Sequence, residues 1–322
     1  MRLNSRLRHP PKVPRVEKPR AEGQFHLADG RRLGYAEYGN PSGPVVLWFH
    51  STLGARRQFP MIGRRAAEKL GLRVILIERP GTGWSDSHRY TAVSDWVADI
   101  SQVADALDVE RLGIVGLSGG GPYALACGAL SPLVSRVAAV AVLDGTAPSV
   151  GPEAAHGGVT DVARRYHRVL TQLRRPLSVL STVLLAPLIP FAHYAYRIYA
   201  SRWPEDDRRV LADPEVQAIF VDDMVNAFHG RCLAMVDDAR LLGRDWGFRL
   251  ADVKVPVRWW HGDTDHVVPI DGVQASVSRL QDGELVTRSG ESHLGGFAKI
   301  DEVLEYMRSQ LSASGTESVQ SV

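Results

Sequence analysis

The stretch that most constrains this chain is Arg-Leu-Gly-Ile-Val-Gly-Leu-Ser-Gly-Gly-Gly-Pro-Tyr, residues 111–123. Its first half is apolar like the end of a buried strand, and Pro122 begins a run typical of a helix start, where the missing N–H costs nothing. Residues 116–120 read Gly-Leu-Ser-Gly-Gly, a G-x-S-x-G pattern. This pattern predicts a strand, a turn too sharp for bulky neighbours and a helix, with the Ser118 hydroxyl projecting from the strained turn.

Two later stretches can complete the chemistry of Ser118. A serine hydroxyl is a weak nucleophile until a base takes its proton, and the base needs an orienting acid. Residues 259–269, Trp-Trp-His-Gly-Asp-Thr-Asp-His-Val-Val-Pro, follow one predicted strand, and residues 289–294, Ser-Gly-Glu-Ser-His-Leu, follow the next. In a strand–turn–helix arrangement of this kind the acid and then the histidine come after the serine along the chain, so we look for them in these two loops.

Strand and helix patterns alternate along most of the chain. Continuous apolar runs and period-2 segments predict strands, and apolar residues at helical spacing predict helices. The predicted strands are residues 24–27, 32–38, 44–50, 72–78, 112–117, 134–143, 255–261 and 284–289. The predicted helices are residues 58–70, 91–107, 122–129, 269–280 and 296–311. The alternation predicts an α/β fold, with a mostly parallel central sheet and helices on both faces.

One interruption of this alternation sets the predicted domain organisation. Residues 146–249 are helical in pattern and rich in arginine and aromatic residues, so we expect a helical cap over the carboxyl edge of the sheet, where open α/β sheets bind ligands. The flanking blocks, residues 23–145 and 250–311, form the predicted core. Residues 1–22 are basic and proline-rich and residues 312–322 are small and polar, so we predict that both are disordered.

Composition argues against several classes of function. The formal net charge is only +2, so we expect no nucleic-acid partner. The N-terminal segment lacks the apolar core of a secretory signal. Two cysteines, Cys127 and Cys232, are too few for a disulfide framework or a metal set. We therefore expect packed thiols in a reducing compartment and a cytoplasmic location.

With these motifs the chain resembles the α/β-hydrolase superfamily. In that family a strand followed by Gly-x-x-Asp-x-x-x-Pro carries the acid, and a late histidine before the final helix is the base. The resemblance implies that Asp265 and His293 complete a catalytic triad with Ser118. It covers residues 23–145 and 250–311, and it implies an α/β-hydrolase fold with a cap insertion.

Two further segments match the superfamily. Residues 48–54, Trp-Phe-His-Ser-Thr-Leu-Gly, stand where the family has His-Gly-x-Pro-Gly, although this chain has serine and leucine in place of the glycine and the proline. That loop supplies one amide of the oxyanion hole and the residue after the nucleophile supplies the other, which implies Thr52 and Gly119. Residues 78–86, Glu-Arg-Pro-Gly-Thr-Gly-Trp-Ser-Asp, match the family's Asp-x-x-Gly-x-Gly-x-Ser stretch, and we interpret them as a structural turn that supports the nucleophile loop.

Other residues compete for the roles of acid and base. Asp263 lies two residues before Asp265, but the Gly-x-x-Asp spacing favours the later residue. Asp144 follows the preceding strand, where a lone aspartate is more often a loop cap. The other loop histidines are interpreted as hydrogen-bonding residues of their own loops: His50, His261 and His266.

These residues predict a serine hydrolase that cleaves an ester-like acyl bond of a lipophilic small molecule, with no cofactor and no metal. Three alternatives stay open: an aminopeptidase that takes N-terminal proline, a cofactor-free perhydrolase or C–C bond hydrolase, and a ligand-binding protein on the same fold. The aminopeptidase would need carboxylates in the cap for the substrate amine. The candidates are Glu205, Asp206, Asp207, Asp222 and Asp223. The oligomeric state is left open.

One segment of the predicted cap is unusually apolar. Residues 176–196 hold no Lys, Arg, Asp or Glu, and arginines flank them on both sides. The length suffices for a membrane span, but Pro187 and Pro190 break the middle, and a span would separate the members of the triad. Two interpretations remain. The segment packs on the core and lines a closed acyl pocket, with Leu184 and Leu188 among its lining, or it forms a lid that docks on a membrane surface.

Overall fold

The computed structural model describes residues 16–228 and 233–317. In this described part, eight strands form one sheet in the order β1-β2-β4-β3-β5-β6-β7-β8. The strands are β1 (Ala21–His26), β2 (Arg32–Gly39), β3 (Val45–Phe49), β4 (Arg73–Ile77), β5 (Leu112–Leu117), β6 (Val137–Leu143), β7 (Val257–Gly262) and β8 (Gly283–Arg288). β2 pairs antiparallel with β1 and β4, and every other neighbouring pair is parallel. The prediction of a mostly parallel α/β sheet is confirmed.

Helices alternate with the strands in the two flanking blocks. They are α1 (Met61–Lys69), α2 (Trp96–Ala106), α3 (Gly121–Ala129), α10 (Ile270–Val277) and α11 (Ile300–Glu317). A second group lies between β6 and β7, and we call this group the cap. Its helices are α4 (Gly158–Gln172), α5 (Arg174–Leu185), α6 (Ala192–Ser201), α7 (Glu205–Leu211), α8 (Pro214–Ala227) and α9 (Leu233–Leu242). α5 and α6 are joined by a 3-10 segment, Ala186–Phe191, which contains both prolines that we expected to break this region.

The sheet is covered by apolar side chains on both faces. All five residues of β3 are buried, and alternate residues enter different core clusters. Leu47 and Phe49 pack with Trp96 of α2, whereas Val46 and Trp48 pack with Met307 of α11. A strand with both faces buried needs apolar residues at every position, which explains why these strands read as continuous apolar runs.

The ends of the core differ from the prediction. β1 starts at Ala21, and the Arg20 N–H donates to Glu37 O at 2.8 Å, so the core begins before residue 23. α11 continues to Glu317, so residues 312–317 are helical where we predicted disorder. Extending a packed helix costs less than nucleating a new one, which favours helix in this small, polar stretch. The other residues of both predicted tails lie outside the described residues.

The prediction for the two cysteines is only partly testable. Cys127 of α3 is a buried free thiol, as predicted, and burial raises its pKa far above the ordinary value. Cys232 lies outside the described residues. A buried thiol with a raised pKa is unreactive as a nucleophile, so Cys127 is a packing residue.

Candidate active site

The turn at Ser118 has the strained geometry that the sequence predicts. Ser118 directly follows β5, and its φ of 50° lies in the left-handed region that few non-glycine residues adopt. A 3-10 turn, Ser118–Gly120, leads into α3, so the hydroxyl lies close to a helix N-terminus. The neighbouring glycines are required, because a Cβ on Gly116 would lie 2.6 Å from Gly120 O and one on Gly120 would lie 2.3 Å from Phe49 O.

A line of hydrogen bonds joins Ser118, His293 and Asp265. Ser118 Oγ lies 3.0 Å from His293 Nε2, and His293 Nδ1 lies 2.7 Å from Asp265 Oδ2. An ionised carboxylate can only accept, so the proton of the neutral imidazole is on Nδ1 and the lone pair of Nε2 faces the Ser118 hydroxyl. The fold therefore brings together the three residues that the resemblance pointed to, in an arrangement suited to proton transfer from the serine.

Asp265 is held in one orientation by the protein around it. Its Oδ1 accepts hydrogen bonds from the Val267 N–H at 2.7 Å and the Val268 N–H at 2.9 Å. Its Oδ2 lies 3.2 Å from His261 Nε2, which also donates to Val268 O at 2.8 Å. Burial would raise the pKa of Asp265, but the hydrogen bonds and charges of His261 and His293 hold that pKa well below its usual range. The Asp265 carboxylate therefore stays ionised over the pH range in which the His293 imidazole needs a negatively charged partner.

The basicity of His293 is set by opposing effects. Burial favours the neutral imidazole and lowers the pKa of His293. The hydrogen bond and charge of Asp265, with the charges of Asp144 and Asp207, favour the imidazolium and outweigh burial, so the pKa of His293 is raised above its ordinary value. A raised pKa makes the neutral imidazole a stronger base toward the serine proton.

The competing acids contact other groups. The Asp263 carboxylate is exposed and accepts the Gly290 N–H at 2.7 Å, which is a loop contact. Asp144 is buried, and its Oδ2 accepts the Gly296 N–H at 3.2 Å, while burial raises the pKa of Asp144 to about 6. Among the described residues, Asp265 is the aspartate whose carboxylate is within hydrogen-bond distance of the His293 ring.

The loop after β3 brings Thr52 next to Gly119. A Cβ built on Gly119 would lie 3.3 Å from Thr52 N and 2.1 Å from Thr52 Oγ1, so the two backbone segments are in close contact beside Ser118. Both Thr52 and Ser118 line the same cavity. The serine and leucine that replace the family's glycine and proline therefore leave Thr52 beside the nucleophile.

The stretch at residues 78–86 supports the Thr52 loop through Arg79. This buried guanidinium donates to His50 O at 2.7 Å and to Ser51 O at 2.9 Å, and it pairs with Asp238 of α9 at 2.7 Å. His50 Nδ1 donates to Ser51 O, and His50 Nε2 accepts the Arg79 N–H. This stretch has a structural role, but the loop that Arg79 holds is the Thr52 loop and not the nucleophile loop that we predicted.

Two cap carboxylates that the sequence offered only as possible amine ligands instead hold the loops of the site. Asp207 of α7 accepts the Ser292 hydroxyl at 2.7 Å and the Leu294 N–H at 2.8 Å, so it binds both neighbours of His293. Asp223 of α8 accepts the Ala55 N–H and the Arg57 N–H, each at 2.9 Å, in the loop that carries Thr52. These contacts join residues far apart in sequence, and no local pattern marks them.

The same contacts bear on the aminopeptidase alternative. Asp207 and Asp223 are bound to backbone amides, and Asp222 lies 3.3 Å from the Arg57 guanidinium. The two remaining carboxylates both pair with Arg209, Glu205 at 3.0 Å and Asp206 at 3.5 Å. All five predicted candidates for binding a substrate amine therefore already have protein partners.

A cavity of about 540 Å³ lies over Ser118 between the core and the cap. Its polar lining comes from the triad residues Ser118 and His293 and from five others: Ser51, Thr52, Gln58, Thr146 and Asp223. Its apolar lining comes mostly from the cap, including Val162, Tyr166, Ala195, Tyr199, Trp203 and Phe220. A cavity with a mostly apolar lining favours a lipophilic ligand, which its few polar groups can orient.

The interpretation of residues 176–196 as a packed pocket lining is wrong for most of the segment, including the two leucines that we named. Leu184 and Leu188 are 61% and 45% exposed, and neither contributes to the cavity over Ser118. In place of these leucines, the lining near this segment comes from Ala195 and from Tyr199 and Trp203, which follow it. The apolar composition of the segment led us to expect burial, but its two helices turn most of their large apolar side chains away from the core.

Asp144, His261 and Asp265 form a buried group whose ligand atoms all lie within 4.8 Å of one another, a spacing that a metal ion could bridge. Each member has a protein contact in this arrangement: Asp144 with the Gly296 N–H, His261 with Val268 O, and Asp265 with His293. These contacts account for the cluster as a hydrogen-bonded network around the acid of the triad.

Comparisons with known proteins give the family and the fold. The family described as alpha/beta hydrolase fold matches residues 44–299. A monoacylglycerol lipase from Mycolicibacterium smegmatis is 29% identical over 277 residues, which cover 82% of this chain and 86% of that protein.

Solved structures give the same fold. A hydrolase from Pseudomonas aeruginosa PA01 superposes with a TM-score of 0.64 at 16% identity, covering 91% of this chain and 97% of that chain. A thermophilic esterase from Thermogutta terrifontis superposes with a TM-score of 0.63 at 19% identity, covering 91% of this chain and all (100%) of that chain. At these identities the likeness concerns the fold.

Proposed function

This chain belongs to the alpha/beta hydrolase family, as its motifs predicted, and from this premise we propose that it is a serine hydrolase acting on esters of lipophilic small molecules. The observation that carries the proposal is the hydrogen-bonded line from Ser118 through His293 to Asp265 at the base of an apolar cavity. The relative named monoacylglycerol lipase supports a lipid-like ester as the substrate class.

In the proposed mechanism, His293 Nε2 takes the proton of Ser118 while Oγ attacks the ester carbonyl. Asp265 holds the imidazole in the tautomer that has a free Nε2 and stabilises the imidazolium that forms. The Thr52 and Gly119 amides donate to the oxyanion, an effect of about 3–4 kcal/mol for each donor. His293 then protonates the leaving alcohol, and water activated by the same imidazole releases the acid from the Ser118 ester.

The cavity supports a preference for medium-chain acyl or alcohol groups. Burying each additional CH₂ contributes about 0.8 kcal/mol, so a chain that fills the apolar lining gains affinity that acetate does not. No cofactor takes part in the proposed reaction. We propose that the enzyme is located in the cytoplasm.

A kinetic panel tests the proposal. Para-nitrophenyl acetate, butyrate and octanoate and a monoacylglycerol are compared as substrates of the full chain and of Ser118→Ala and His293→Ala. We expect kcat/KM to rise from acetate to the longer esters. Each variant should lose several orders of magnitude, and the double variant should be little worse, because the members of a triad act as a unit. Full activity of Ser118→Ala would contradict the proposal.

The same panel separates the alternatives. Turnover of prolyl-arylamides in preference to esters would indicate the aminopeptidase, which the partners of the cap carboxylates disfavour. Retention of an ester without turnover would indicate a binding protein. Perhydrolase or C–C bond cleavage would show as hydrogen-peroxide-dependent product or as cleavage of a β-diketone, with no ester preference.

A further inference from the structure

The cap presents exposed apolar side chains along α5, the 3-10 segment and α6. We call the following set the apolar cap surface: Val179, Leu180, Val183, Leu184, Phe191, Tyr194 and Ile198, each between 54% and 63% exposed. On α5 the four members are spaced i, i+1, i+4 and i+5, and on α6 Tyr194 and Ile198 are spaced i, i+4, so each helix presents one stripe. Apolar side chains in this number rarely face water together unless they bind something.

This exposure is not the edge of a packed core. The stretch Arg174–Ser201 has the length and apolar composition of a membrane span, yet only 11% of its most apolar window is buried in the fold. The opposite sides of both helices are fixed to the protein. Ser178 and Tyr196 are buried, the Tyr196 hydroxyl donates to Leu211 O at 2.8 Å, and Arg174 pairs with Asp237. The segment is therefore anchored to the rest of the cap along one side. This arrangement is suited to lying on a membrane surface and not to spanning the membrane.

The charged residues within the stretch that carries the apolar cap surface are of one sign. Residues 173–204 contain four arginines and no aspartate or glutamate. Arg174 is paired, but among the described residues Arg175, Arg197 and Arg202 have no ion-pair partner, and all three are exposed. Unpaired arginines beside an exposed apolar stripe are complementary to an apolar layer bordered by phosphates.

A second, small cavity lies beside the segment that carries this surface. It has a volume of about 80 Å³ and lies between the α5–α6 segment and α8. Its lining includes Leu188 and Ile189 of the segment. Ala195 and Met224 line both this cavity and the larger one over Ser118, so the two spaces adjoin.

We infer that the apolar cap surface docks the protein on an anionic phospholipid bilayer, with the small cavity opening toward the acyl chains. Val183, Leu184 and Ile198 insert among the acyl chains, and Arg175 and Arg197 contact lipid phosphates. A lipophilic molecule then passes from the bilayer between the segment and α8 to Ser118. The docking is inferred from the apolar cap surface alone, whereas the entry route rests on the proposed function.

Vesicle co-sedimentation of the full chain tests the docking without any turnover. We expect the wild type to bind phosphatidylcholine–phosphatidylserine vesicles more tightly than phosphatidylcholine vesicles, with binding that weakens as salt is added. Val183→Asp with Leu184→Asp should reduce binding more than about tenfold, because two aliphatic side chains that insert into the bilayer are lost. Arg175→Gln with Arg197→Gln should reduce binding to the anionic vesicles by roughly fivefold per arginine.

The matched control introduces two aspartates at exposed positions outside the apolar cap surface. Gln274→Asp with Ala275→Asp, at exposed positions of α10, should bind vesicles as the wild type does. All variants should hydrolyse soluble para-nitrophenyl butyrate like the wild type, which reports intact folding. Failure of the wild type to bind, or unchanged binding of the Val183→Asp, Leu184→Asp variant, would overturn the inference. So would sedimentation velocity showing a wild-type dimer that this variant dissociates, since a second copy would then cover the surface.

Discussion

Trp203 of the cap stacks on the imidazole of His293, with ring centroids 6.3 Å apart and planes inclined by 10°. Trp203 is held in turn by an edge contact with Tyr199, whose centroid lies 5.5 Å away. A cap residue therefore lies beside the base of the triad, with its ring nearly parallel to the imidazole.

We predict that Trp203→Ala lowers kcat/KM for a soluble ester about tenfold, since aromatic contacts of this kind contribute roughly 0.5–1.5 kcal/mol. Burial lowers the pKa of His293, so opening the site should raise that pKa and move the ascending limb of the pH profile to higher pH. Trp203→Phe keeps an aromatic ring beside the imidazole and serves as the control. An unchanged profile in Trp203→Ala would show that the stack has no such role.

The acid assignment is tested by comparing three isosteric variants. Asp265→Asn should lower kcat by about 10³–10⁴-fold, because the amide turns an N–H toward Nδ1 and favours the wrong tautomer. Asp263→Asn should have little effect, since its carboxylate contacts only a loop amide. The measurement is ester turnover under saturating substrate. A greater loss in Asp263→Asn or Asp144→Asn than in Asp265→Asn would refute the assignment.

Asp144 should instead act on the pH profile. Its charge raises the pKa of His293, so Asp144→Asn should lower that pKa and move the ascending limb to lower pH. The base must be neutral to act, and a lower pKa keeps it neutral in more acidic solution. The activity at the high-pH plateau should be retained. A shift toward higher pH would contradict the sign of this interaction.

Asp223 gives a prediction about stability. Burial raises the pKa of its carboxyl to about 7, from 3.8 for an ordinary aspartate. The folded pKa is the higher one, so this group stabilises the fold at low pH and that contribution is lost as pH rises through about 7. Asp223→Asn should therefore unfold at a temperature that falls less between pH 5 and pH 8 than that of the wild type does. Asp263→Asn, at an exposed position, should behave like the wild type, and an identical pH dependence in Asp223→Asn would contradict the account.

The parts of the site that could be predicted are those with local causes. The turn at Ser118 needs glycine at positions 116 and 120 because neighbouring carbonyls lie within 3 Å of where a Cβ would be, and such a requirement is visible in sequence. The loops after β7 and β8 follow strand ends that apolar runs reveal. Parallel strands carry their carboxyl ends to one edge, which brings the two loops together.

The parts that could not be predicted depend on how the cap lies on the core. The bond from Asp207 to Ser292 spans 85 positions and exists only because α7 packs beside the His293 loop. Apolar composition led us to expect burial of Leu184, because burying apolar surface is the default outcome of folding. Composition does not reveal which face of a helix its neighbours leave uncovered.

The measurement that tests the central claim most directly is covalent labelling with a fluorophosphonate, followed by location of the adduct by mass spectrometry. The account predicts a single adduct on Ser118, formed because His293 removes the proton of Oγ as the hydroxyl attacks phosphorus. Labelling should be lost in His293→Ala, although the serine is still present. An adduct on another residue, or undiminished labelling of His293→Ala, would contradict the proposal that Ser118 is a nucleophile activated by His293.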